Sequence, residues 1–200
     1  EFATCPLGSR RQPGLVRRAA TFCGVMNSET GNLPAAVACY AEALDLAKTL
    51  ADVTAEAAVW NNLGLALQYA GQYVDAVRCY DQAWRHAGDG PARLMVVSAS
   101  LANTAQACLR VHDLRQGISA AKRVIALLAE PQDPTLCTYR VSAESYLAEL
   151  LLEIDDVDGA REHVGLAKRF AELARQPRAH FRAFGREWFI PLTTTILLSF

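Results

Sequence analysis

Aromatic residues make up only 8% of this 200-residue chain, and methionine occurs twice. A core so poor in large side chains must rest on small aliphatic contacts, which let helices approach closely. A dominant charge is also lacking. The 20 basic and 21 acidic residues leave a formal net charge of −1, so no global field draws the chain to nucleic acid or to an anionic membrane. The arm holding Arg10, Arg11, Arg17 and Arg18 is a local exception, read as a solvated leader.

Six cysteines are present, Cys5, Cys23, Cys39, Cys79, Cys108 and Cys137, but none form C-x-x-C and no histidine stands at finger spacing from them. That excludes the usual zinc-finger and dithiol signatures. Five of the six fall in helical stretches, where free cysteine behaves as a small buried hydrophobe, and a reducing, cytoplasmic setting is expected. The N-terminus has no signal-peptide pattern, and the apolar tail FIPLTTTILLSF falls short of the roughly 20 residues that span a membrane. The chain begins Glu1-Phe2 rather than with Met, which reads as a processed or excised piece of something longer.

Catalytic signatures are missing as well. There is no G-x-S-x-G, P-loop, H-E-x-x-H or Gly-rich dinucleotide turn. His86, His112, His163 and His180 are scattered one per region and read as surface or helix-terminal residues. Asp155, Asp156 and Asp158 form a turn and N-cap cluster, since the spaced ligands of a calcium loop are absent. Neither an enzyme nor a cofactor or metal is expected.

What the chain does contain is a repeat. Small residues stand at Gly24, Gly64, Ala105 and Ala148. Nine residues later come Leu33, Tyr73, Leu114 and Val157, and twelve later Ala36, Ala76, Gly117 and Ala160. Sixteen later come Tyr40, Tyr80, Ala121 and Val164, and nineteen later Ala43, Ala83, Val124 and Ala167. The spacings between units are 40, 41 and 43 residues. Small residues are needed where two antiparallel helices cross, and bulkier ones beside them fill the grooves; Gly64 and Ala76 are expected to form one such close pair. Gly31-Asn32, Gly71-Gln72, His112-Asp113 and Asp155-Asp156 mark the turns.

Eight helices follow, at about 15–29, 34–49, 53–70, 74–87, 92–111, 115–129, 136–153 and 158–175. A single helix pair cannot bury its outer face, so the pairs should stack into a solenoid. Asp89-Gly90-Pro91 and the stretch from Glu130 to Pro134 read as inter-repeat loops.

The second unit, VWNNLGLALQYAGQYVDAVRCYDQAW, closely resembles the tetratricopeptide repeat, with Trp60, Leu63, Gly64, Ala76, Tyr80 and Ala83 at the signature spacing. The match is good in the first unit and degenerate in the third and fourth. The period exceeds the family's usual length of about 34 residues and looks like the long-helix repeats of kinesin light chains and of bacterial regulators. The resemblance implies an all-α, right-handed α–α superhelix. Its organisation would be a flexible leader at 1–14 and four repeats at about 15–50, 53–88, 92–129 and 136–175. Residues 176–200 would form a capping helix and tail, with Phe181, Phe184 and Trp188 on one helical face.

In that architecture the first helix of each pair lines a concave groove. The groove residues expected are Asn61, Asn62, Leu65, Gln68 and Tyr69 in the second unit, and Ala102, Asn103, Gln106 and Arg110 in the third. Tyr146, Glu149 and Glu153 extend it as an acidic patch. Asn62 and Asn103 share a place in successive repeats, where this family often uses an amide to hold a peptide backbone. The expected partner is a protein or peptide, with no nucleic acid or membrane bound directly. A clamp for chaperone tails is disfavoured, because Arg18 and Arg110 are the only obvious inner cations. The function expected is a non-enzymatic interaction scaffold. The alternative is a sensor or regulatory segment of a larger bacterial regulator whose output domain is missing. Self-association through the open first repeat, around Val16, Ala20 and Phe22, is a further expectation.

Overall fold

A computed structural model describes residues 12–89, 92–131 and 133–175. The expected capping helix, its Phe181, Phe184 and Trp188, and Cys5 and His180 lie outside these residues. Within them the chain is all helical: α1 Pro13–Glu29, α2 Leu33–Thr49, α3 Val53–Tyr69, α4 Tyr73–Arg85, α5 Arg93–Val111, α6 Leu114–Leu127, α7 Pro134–Leu152 and α8 Val157–Arg175. The helix α1 starts two residues before the expected position 15, because Pro13 and its fixed φ suit the first helical turn.

Each hairpin turns in the same way. Seven residues after the small residue of each unit the backbone is left-handed, at Gly31 (φ 76°), Gly71 (φ 77°), His112 (φ 56°) and Asp155 (φ 61°). A left-handed residue ends one helix and lets the next start at once. The following helix is then capped by the next side chain in three of the four turns. Asn32 accepts from the Ala35 amide at 3.4 Å, Asp113 from Gln116 at 3.1 Å and Asp156 from Gly159 at 2.9 Å.

Small side chains fill the crossings. Ala36, Ala76, Ala83, Ala105 and Ala121 have no exposed surface. The three atoms nearest to the place of a Cβ on Gly64 belong to the ring of Tyr80, which shares a buried cluster with Ala76. Gly24 faces the ring of Tyr40 in the same way. The missing side chain makes room for an aromatic ring.

The pattern of helix contacts gives the stack its two sides. Among the described residues α1 touches α3, α3 touches α5 and α5 touches α7, whereas α2, α4, α6 and α8 touch only odd-numbered helices. Helices that meet their like across each joint lie on the inside of a curve, and those that splay apart lie on the outside. The helix α5 is long and apolar enough to cross a membrane by length and composition alone, with 61% of that window buried inside the fold.

Candidate functional site

The inner face is a surface rather than a pocket. Near the end of α3 it holds a dimple of about 10 Å³ lined by Asn62, Leu65 and Tyr69 with Val25, Glu29 and Tyr40 across the joint. That is too small to swallow a side chain.

The structure divides the expected groove residues into two sets. Asn61, Leu65, Gln68 and Tyr146, together with Ala102, are buried, which corrects their expected place in an open groove. The physical reason is the joint itself: the next inner helix covers the forward side of Asn61, Leu65, Gln68 and Ala102, while Tyr146, on the last described inner helix, is buried in the core it shares with Ala102 and Ala105. Asn61 is 2% exposed, and its Oδ1 accepts from Ser100 Oγ at 3.2 Å and from Asn103 Nδ2 at 3.1 Å. Gln68 accepts from the Tyr80 hydroxyl at 2.9 Å and donates through Nε2 to Gln106 Oε1 at 2.7 Å. Buried amides with satisfied partners rigidify a joint and set its register, and here they tie α3 to α5.

The second set stays accessible. Asn62, Asn103 and Gln106 are half-buried, while Tyr69, Arg110 and Glu149 are exposed. Asn62 makes no side-chain hydrogen bond among the described residues, so its amide is open to a ligand. Tyr69, Arg110, Tyr146 and Glu149 lie close enough to perturb one another. Burial pushes the Tyr146 hydroxyl up, Glu149 pushes it further, and Arg110 opposes both. The Glu149 carboxyl is raised by burial and pulled back by Arg110. The Tyr69 hydroxyl is raised by burial and by Glu29. His112 and Glu153 approach to 3.8 Å at the same rim. The face therefore offers an open amide, exposed tyrosine surface and charges of both signs.

Two features escape a reading of the sequence. One is a cleft of about 460 Å³ on the outer side, between α4 and α6 and floored by Cys108 and Val111. The other is a buried ionic cluster, which corrects the reading of His163 as a surface residue. Arg140 donates through Nε to Glu144 Oε1 at 2.7 Å, and His163 Nδ1 stands 2.6 Å from Glu144 Oε2. The guanidinium also donates to the carbonyls of Leu128 at 2.6 Å and Ile125 at 2.8 Å, and stacks 4.5 Å from the Phe170 ring. It closes the C-terminal end of α6, where carbonyls lack helical partners, and binds α6, α7 and α8 together. Glu144 and His163 are 19 residues apart, so no local spacing announces them.

Cys79, Cys108 and Cys137 are buried as expected, Cys39 is partly so, and Cys23 is exposed. Among the described residues no group of three His, Cys, Asp or Glu could hold a metal ion.

An inner layer of helices joined edge to edge, an outer layer splayed apart and a shared turn register define a helical-repeat protein. Residues 17–89, which hold most of the first two helix pairs, match the family described as tetratricopeptide repeat. No curated protein matches the chain. Among solved structures the chain is similar to BtubC (BKLC) from P. vanneervenii, with 17% identity, 90% of this chain and 72% of that chain covered, and a TM-score of 0.67. A likeness at that identity concerns the fold.

Proposed function

We propose that this chain is a non-enzymatic scaffold that holds a segment of a partner protein along its inner face. Tetratricopeptide repeats in general mediate protein–protein interaction. One observation carries the reading for this chain. The accessible residues of the inner face, Asn62, Tyr69, Asn103, Gln106, Arg110 and Glu149, lie on one stripe of three consecutive inner helices, beside amides already fixed by the joints. An extended backbone could pair with both ends of the Asn62 carboxamide and with Oδ1 of Asn103, whose Nδ2 is held by Asn61. Tyr69 supplies rigid apolar area, while Arg110 and Glu149 select charge. Free cysteines fit a reducing compartment such as the cytoplasm.

The test is selection of binders from a displayed library of random peptides, followed by affinity measurement with wild type and with Asn62→Ala/Tyr69→Ala. Both side chains lie outside the interhelix hydrogen bonds described above, so helicity by circular dichroism should not change. Affinity should fall at least about tenfold, equivalent to about 1.4 kcal/mol. Equal binding by the double variant, or crosslinks from the peptide to the outer helices, would overturn the reading.

A further inference from the structure

Every internal joint of the stack brings together two faces of different make. The back face of each inner helix, turned to the preceding pair, lies at fixed places in the repeat. In α3 it is Ala55, Val59, Leu63 and Ala66, and Val59 and Ala66 pack among Tyr40, Ala43 and Leu44 of the first pair. In α5 the same places hold Val96, Ser100, Thr104 and Ala107, and in α7 Tyr139, Ala143, Leu147 and Leu150, all of them buried. In α1 they hold Leu15, Ala19, Cys23 and Met26. These four are exposed, Leu15 at 57% and Met26 at 43%. Residues i, i+4, i+8 and i+11 make one continuous stripe on a helix, and this one carries no charge. The face differs from the one expected around Val16, Ala20 and Phe22, since Ala20 is buried in the core that holds Ala36, Tyr40 and Ala43.

The forward face shows the opposite end of the same pattern. Tyr40, Tyr80 and Ala121 stand at one register of the outer helices and are at most 1% exposed, covered by the following pair. In α8 that register holds Val164, which is 41% exposed, and Leu152 at the end of α7 is 53% exposed. Ser145 and Glu149 continue this face on α7, as Asn61 and Leu65 do on α3, so its mixed polarity matches that of an internal joint. Lys168 is the added cation, at the place of Leu44, Trp84 and Ile125; its stem can lie along apolar surface with the ammonium in water.

We propose that a second copy of this chain seats its α1 stripe on the α7–α8 face of its neighbour, so that copies stack head to tail. Among the described residues the two unpartnered ends are the two halves of a joint that the molecule makes three times within itself, and this continuity names the occupant. Such a contact is heterologous. It leaves one free face of each kind at the ends of the assembly and therefore does not close at two copies. The inference concerns the ends of the stack rather than the inner face of the peptide reading, and the two meet at Glu149, on the edge of both.

The test uses the full chain in sedimentation velocity at rising concentration. The mean mass should climb beyond the dimer. Met26→Glu removes the back face and Val164→Glu the forward face, both at exposed sites, with Leu15→Glu as a second back-face variant. Each variant alone should be a monomer of unchanged helicity. An equal mixture of Met26→Glu and Val164→Glu should form dimers and nothing larger, because one intact face of each kind remains. Three results would overturn the proposal: a wild-type monomer at every concentration, meaning that another part of the chain covers an end; a dimer of Val164→Glu alone, meaning that α1 pairs with α1; or a mixture that stays monomeric.

Discussion

The phenol ring of Tyr80 occupies the space that a side chain on Gly64 would need. A Cβ on that glycine would lie 2.5 Å from Cε1 and 2.7 Å from Cδ1 of the ring, and the ring has no exposed surface into which to retreat. Where the third unit carries Ala105 in place of glycine, its residue sixteen later shrinks to Ala121. Glycine with tyrosine and alanine with alanine are two solutions to filling one volume.

Gly64→Ala should therefore destabilise the fold. Overpacking costs about 1–3 kcal/mol, partly offset by about 1 kcal/mol of better helix propensity, for a net loss near 1 kcal/mol in urea unfolding. In a Tyr80→Ala background the same substitution should be neutral or stabilising. An additive double-mutant cycle would show that ring and glycine are not coupled.

The neighbours Asn61 and Asn62 should separate stability from binding. Asn61→Ala strips the acceptor from Ser100 and Asn103 and should cost about 1–3 kcal/mol. Asn62→Ala should stay within about 0.5 kcal/mol of wild type and weaken the selected peptides instead. Equal stability losses from both would mean that Asn62 also belongs to the joint.

Glu144→Gln leaves the Arg140 guanidinium buried without its carboxylate. A loss of about 3–5 kcal/mol is expected on removing one partner of a buried pair, read as a lower urea midpoint and faster amide exchange in α8. Arg140→Met/Glu144→Leu should be less damaged than Glu144→Gln, since no charge is left unpaired. The reverse order would assign the main role to the helix-end carbonyls rather than to the ion pair.

Burial pushes the Cys79 thiol up to about 11 and the Cys108 thiol to about 12, against an ordinary 9.0. Both raised values favour the neutral thiol in the folded state. Their contribution is thus complete below pH 9.0 and is lost as pH climbs toward about 11 to 12. Stability should hold steady near pH 8 and decline above pH 9. The tyrosines begin from 10.0, as Tyr40 does on its way to about 12, so the first unit of decline reports the thiols. Cys79→Ala/Cys108→Ala should flatten it, and an unchanged slope would place the titration elsewhere.

The sequence alone was enough to define the eight helices, their turns and the repeat. These follow from local rules: a small residue at a fixed register, a left-handed residue seven later, a cap beside it. Gly31 and Gly71 announce the turns openly, while His112 and Asp155 become legible through the register they share with them. The face of a side chain within the joint was not legible. Asn61 and Asn62 are adjacent and identical, and only the arrival of α5 makes one a buried acceptor and the other an open amide. Arg140, Glu144 and His163 likewise acquire their roles when α6, α7 and α8 close around them. Periodicity is a property of one helix, whereas burial is a property of pairs of helices. Only the packed stack could decide which side of each inner helix faces a neighbour and which faces a guest.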